Sequence, residues 1–226
     1  MKKFFFSVML AVFTGIVTVS AGENPGFDSR RAIAEYAFNA FVNRDAKAMV
    51  NTFAPKTIEE GIKIFGSRKN LEIACQEYLN LAPDSYLKQM RRTRKQTIRN
   101  LANDRDLIQI NGKWYSSQNF DEISFSYTMV RFLDAVLSRD TDTLWTLLTP
   151  ETQNRMNKDA DNDPQLLKKN LTDLCKGFIG DDHIANIKAN RQAFIAQQVA
   201  AMYRSRIMVN IDGKFFLNLI ELMGKN

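Results

Sequence analysis

Histidine is nearly absent from this chain: His183 is the one imidazole in 226 residues. That excludes most histidine-based metal centres and nucleophilic triads, which need an imidazole as ligand or base. Two cysteines, Cys75 and Cys175, are too few for a disulfide framework or a self-contained zinc site. Five prolines and ten glycines are too few for a loop-dominated or collagen-like chain. What remains is an ordinary globular balance, 45% hydrophobic, 25% charged and 11% aromatic. The length suffices for one domain or two small ones. No residue stands out as catalytic, and no cofactor or metal is implied.

The N-terminus reads as an address. Lys2 and Lys3 precede an apolar run from Phe4 to Val19, and Val19-Ser20-Ala21 supplies the small residues of a cleavage site. This is the pattern of a secretory signal peptide over residues 1–21, cut after Ala21, followed by a linker over 22–28. The expected localisation is secreted or periplasmic. A membrane anchor fits less well, because the run is interrupted and short of a span. No other stretch is long and apolar enough to be transmembrane. Losing Lys2 and Lys3 lowers the net charge of +6 by two, and export argues against nucleic acid as a partner.

The rest of the chain repeats itself. Phe38-Asn39-Ala40-Phe41-Val42-Asn43-Arg44-Asp45 aligns with Leu133-Asp134-Ala135-Val136-Leu137-Ser138-Arg139-Asp140, 95 places later. Leu71, Cys75 and Tyr78 align with Leu171, Cys175 and Phe178 at an offset of 100. Asn111-Gly112-Lys113-Trp114-Tyr115 meets Asp212-Gly213-Lys214-Phe215-Phe216 at 101. The drift fits an insertion near Asp159 to Asp163. These matches predict tandem units over 29–120 and 121–226.

In each unit, apolar residues at helical spacing predict a first helix: Ala34, Ala37, Phe38 and Phe41, then Met129, Phe132, Leu133 and Val136. Arg-Asp breaks it. A short second helix is expected to stop at Pro55 and at Pro150. A third carries the Cys75 and Cys175 stripes, the latter capped by Asp163 ahead of Pro164. Asn111-Gly112 and Asp212-Gly213 between apolar runs predict closing hairpins. Residues 86–105 and 187–206 favour helix over strand. The fold class is therefore α+β, two tandem homologous units of helices followed by an antiparallel hairpin or small curved sheet.

Val130-Arg131-Phe132-Leu133-Asp134-Ala135, Ser138-Arg139-Asp140, Leu144 to Pro150 and the closing Asp-Gly-Lys-aromatic turn resemble the nuclear-transport-factor-two-like superfamily. The resemblance implies a cone, with a curved sheet wrapped round the first helix and often an apolar pocket. It covers the start and end of each unit. Its members include enzymes, ligand carriers and interaction modules.

Lys88, Arg91, Arg92, Arg94, Lys95 and Arg99 form the leading candidate surface, with no acidic residue from Ser85 to Asn103. They could dock an anionic envelope component or an acidic protein, or be a solvated helix face. Trp114, Tyr115, Trp145 and Phe215 are candidates for lining a pocket, or for packing hairpin on helix. Cys75 and Cys175 could bridge, but equivalent core positions favour two separate thiols. His183 beside Asp181 and Asp182 is an acid–base candidate or a solvated turn. Asp159, Asp161 and Asp163 mimic half a calcium loop, but Pro164 and Asn170 replace its glycine and glutamate.

Three functions stay open: a non-enzymatic binding or interaction protein of the envelope, a carrier of a small apolar ligand, and a carboxylate-dependent isomerase or hydrolase. A sealed core points to the first, an apolar cavity to the second, and a cavity with buried paired carboxylates to the third.

Overall fold

The computed structural model describes residues 25–202 and 207–220; the signal-peptide expectation lies outside them. The fold is α+β, and the chain divides into two compact units, through Ile123 and from Ser124. Among the described residues, no helix is long and apolar enough to cross a membrane.

Unit 1 begins with α1 (Arg30–Val42), α2 (Ala46–Val50), α3 (Pro55–Phe65) and α4 (Arg68–Asn80). It continues with α5 (Asp84–Arg92), α6 (Arg94–Ala102), β1 (Leu107–Ile110) and β2 (Lys113–Ser116). Helix α1 runs through the middle, packed against α2, α5, α6 and β2. It buries Ile33, Ala34, Phe38 and Phe41, the stripe expected from 3.6-residue spacing. Ser29 caps its start by accepting from the Ala32 N–H.

Ahead of α1, Phe27 pairs with Trp114 on the open edge of β2, through N–H to O distances of 3.1 and 2.7 Å. Gly26 just before it, at φ +65°, lies so close to Tyr115 that an added Cβ would stand 2.5 Å from that ring. Residues 52–54 cover the rest of that edge, where Ser116 donates to the Thr52 carbonyl and Ala54 to the Ser116 carbonyl. A short strand is thereby spared an exposed flank.

Unit 2 contains most of α7 (Asp121–Ser138), then α8 (Thr141–Thr146), α9 (Pro150–Asp159) and α10 (Pro164–Phe178). After them come α11 (Asp181–Ala189), α12 (Arg191–Met202), β3 (Met208–Ile211) and β4 (Lys214–Leu217). Several contacts of unit 1 recur in it. Arg44 and Arg139 both take left-handed backbone, at φ 53° and 57°. Arg44 donates to the Ala82 carbonyl and to Asp84; Arg139 donates to the Ile179 carbonyl and to Asp181. Asp45 and Asp140 cap the next helix, each at 2.9 Å. Both hairpins turn through two residues at positive φ, Asn111-Gly112 and Asp212-Gly213, as a type I′ turn requires.

Two expectations need correction. Pro55 and Pro150 do not stop the second helix, which ends at Val50 and at Thr146; they start α3 and α9. A proline without an N–H suits the first helical turn as well as it breaks an interior. The pre-hairpin segments are helical as favoured, through Ala102 and Met202, and each unit has two strands among the described residues. Among the described residues, each unit's sheet is this one two-stranded hairpin. Finally, His183 sits in the first turn of α11 rather than in a loop.

Candidate functional site

The two first helices differ where their stripes face the core. In α7, Met129 and Phe132 are fully buried, and Phe132 meets Phe178 edge to face with ring centroids 5.1 Å apart. The residues 95 places earlier are Ala34 and Ala37, and Tyr78 occupies the position matching Phe178. Two alanines in place of a methionine and a phenylalanine leave space. Unit 1 contains a cavity of about 130 Å³, with Ala34, Ala37, Phe41 and Phe53 on its apolar side. That approaches the roughly 150 Å³ of a void able to hold benzene.

Its other wall is polar. Asp104 and Asp106 come from the turn between α6 and β1, Gln118 and Asn119 from the segment after β2, and Glu122 from the first turn of α7. Thr52 and Tyr78 complete it. The residues 101 places after Asp106, Gln118, Asn119 and Glu122 are Ile207, Leu219, Ile220 and Met223. Leu147 stands opposite Thr52 at the earlier offset of 95. In sequence, these five polar positions of unit 1 thus face apolar residues in unit 2.

Local structure explains why these groups are held. The Asp106 N–H donates to the Asp104 carboxylate at 3.3 Å, and the Asp106 carbonyl accepts from Ser117 at 2.9 Å. Asp106 is clamped at the mouth of the hairpin and is 6% exposed. Asn119 accepts from the Asp121 N–H at 2.7 Å and orients the start of α7, so that Glu122 meets the Tyr78 hydroxyl.

Both carboxyls are driven toward their protonated form. Burial pushes Asp106 up to about 8, helped by its hydrogen bond to Asp104 and the repulsion of that neighbour. Burial pushes Glu122 up to about 7; Asp121 adds to the rise and the Tyr78 hydroxyl opposes it. Tyr78 is itself raised, by burial and then by the charge of Glu122. Two acids with protons near neutrality on one cavity wall can donate and accept protons in turn.

The residues singled out from sequence lie elsewhere. Trp114, Tyr115, Trp145 and Phe215 do not line this cavity. Trp114 lies under the Arg30 guanidinium at 4.7 Å, and Phe215 packs edge to face on Phe125. Lys88, Arg91, Arg92, Arg94, Lys95 and Arg99 are all exposed on α5 and α6. Arg91 nevertheless donates to the Val42 carbonyl, and Arg94 lies over the Phe38 ring. His183 is exposed beside Asp182. Asp159 pairs with Arg155 and Asp163 caps α10; no cluster of three potential metal ligands occurs among the described residues. Cys75 and Cys175 are buried free thiols.

Asp106 and Glu122 were legible only by a position-by-position comparison of the two halves of the sequence, as carboxylates set against Ile207 and Met223. No protein-family model matches this chain, and no curated protein or solved structure is significantly similar to it.

Proposed function

We propose that unit 1 is a small-molecule site at which carboxyl groups move protons, the chemistry of a carboxylate-dependent isomerase or hydrolase. The observation that carries this reading is an exchange of side chains. Where unit 2 has a packed plug of Met129, Phe132 and Phe178, unit 1 has Ala34, Ala37 and Tyr78 beside a polar wall. Such a wall costs stability, since burying carboxyls without a cation opposes folding. Unit 2 does without it, so it serves something other than the shared framework. In this account the units are copies of one ancestral block, the second keeping a sealed core and the first opened for a ligand.

The roles follow from geometry. Asp106 holds a proton beside the Asp104 carboxyl, and Glu122 holds another beside Tyr78. One accepts a proton from substrate or water while the other returns one. A screen of polar molecules of about six heavy atoms, a size set by the void, tests the reading by ligand-observed NMR. Binding should be lost in Ala37→Phe or Ala34→Met, with the fold retained by circular dichroism. Hits unaffected by both variants would place the ligand site elsewhere.

The envelope-interaction reading retains one specific support. The six cations of α5 and α6 are exposed, while the matching stretch of unit 2 is mostly neutral. A docking face on unit 1 is compatible with a site beneath it, in a protein exported by the N-terminal 21 residues. N-terminal sequencing of the secreted product tests export: a start at Gly22 supports it, and a retained Met1 contradicts it.

A further inference from the structure

Taking the cavity of unit 1 as a ligand site, we infer that its ligand is a small organic cation rich in N–H donors, of the amidinium, guanidinium or ammonium class. The inference deepens the proposal above and rests on how the wall has spent its own donors. The Thr52 hydroxyl donates to the Met49 carbonyl at 2.7 Å. Gln118 donates to the Asn119 carbonyl at 2.6 Å, and Asn119 donates to Asp121 at 3.1 Å. The Tyr78 hydroxyl is given to Glu122. The carboxyls of Asp104, Asp106 and Glu122 remain, each with lone pairs to offer.

Among the described residues, no lysine or arginine lines the cavity. Arg30, on the same helix as Ala34 and Ala37, is turned to the Ala102 and Leu107 carbonyls and to the Trp114 ring. An anion would therefore find no cation to pair with, only carboxyl groups and the few remaining hydroxyl and amide donors of Ser116, Gln118 and Asn119. A neutral acceptor would find most side-chain donors already committed. A planar cation satisfies two carboxyls at once, through charge-assisted bonds, and its flat face suits the apolar side formed by Ala37, Phe41 and Phe53.

Binding a cation favours ionised carboxyls, so protons held there must leave. The groups facing one another are Asp104 and Asp106 on the hairpin mouth, Glu122 with its neighbour Asp121 on α7, and Tyr78 on α4. Affinity should therefore rise with pH through the range in which Asp106 and Glu122 give up their protons, with proton release to the buffer.

Three isosteric probes, acetamidinium, acetamide and acetate, distinguish the ligand classes. Each is titrated into the full mature chain and followed by amide shifts of residues lining the cavity. At pH 8.5 acetamidinium should bind about tenfold or more tightly than either of the others, about 1.4 kcal/mol by the RT conversion. The preference should weaken at pH 6, in Asp106→Asn and in Glu122→Gln, and binding should vanish in Ala37→Phe. Acetamide or acetate binding equally well through the same residues would overturn the cation class while leaving the small-molecule site intact. No response to any probe would overturn it too, and the broader polar screen would then decide whether the site itself stands.

Discussion

Phe132 and Phe178 close the core of unit 2 edge to face, and the two residues matching them in unit 1 are Ala37 and Tyr78. One unit spends that volume on packing and the other leaves it beside three carboxyls. Restoring the ring should plug the cavity. Ala37→Phe is expected to keep or raise the melting temperature and to abolish ligand binding. The reverse change, Phe132→Ala, should destabilise the protein by about 3–5 kcal/mol, as for other buried phenylalanines. Urea denaturation of both variants checks the pair.

Asp106 makes stability depend on pH in a defined direction. Its folded pKa, about 8, lies above the unfolded value near 3.9. Between those limits the folded state binds more protons than the unfolded state, so stability falls as pH rises. Asp106→Asn removes that penalty. It should raise the melting temperature at pH 8 and change it little at pH 4; an equal change at both would show that the carboxyl is ionised throughout.

Arg44 and Arg139 are held in left-handed backbone that costs a non-glycine residue about 1–2 kcal/mol. Their guanidinium bonds offset it. Arg44→Ala should lose the bonds and keep the strain, whereas Arg44→Gly loses the bonds and relieves the strain. The glycine variant should be the more stable by about 1 kcal/mol. The same order is expected at Arg139.

Cys75 has its thiol pushed up to about 12 by burial and by Glu72. In native protein it should be inert to thiol reagents. In urea without reductant, two thiols should titrate. None, with a monomeric mass, would mean that Cys75 and Cys175 are bridged.

The basic face divides into two kinds of residue. Arg91 ties α5 to the end of α1 through the Val42 carbonyl, so Arg91→Gln should cost about 1 kcal/mol. Lys88, Arg92, Lys95 and Arg99 changed together to Gln should leave the melting temperature nearly unchanged while weakening binding to anionic vesicles. Unchanged vesicle binding would remove the docking reading.

Much of the fold was legible because it depends on local rules. Apolar spacing marked α1, α4, α7 and α10, Asp163 marked a cap, and Asn111-Gly112 and Asp212-Gly213 marked the turns. Helices α3 and α9 were missed because a proline reads alike as a stop and as a first turn. Trp114, Tyr115, Trp145 and Phe215, candidates for lining a pocket or for packing hairpin on helix, do not line this cavity; aromatic residues attract attention while cavities are made by small ones. Ala34 and Ala37 look like ordinary core positions until Met129 and Phe132 are set beside them. The acidity of Asp106 and Glu122 depends on burial and on Asp104 and Tyr78, which meet them only in the folded chain.

The most direct measurement is a carboxyl-carbon NMR titration of the protein with Asp106 and Glu122 assigned by Asp106→Asn and Glu122→Gln. Midpoints near 8 and near 7 are expected, from one proton held on Asp106 and one on Glu122 beside Tyr78. Midpoints near 4 for both would mean two ordinary solvated acids and would contradict a proton-moving site in unit 1.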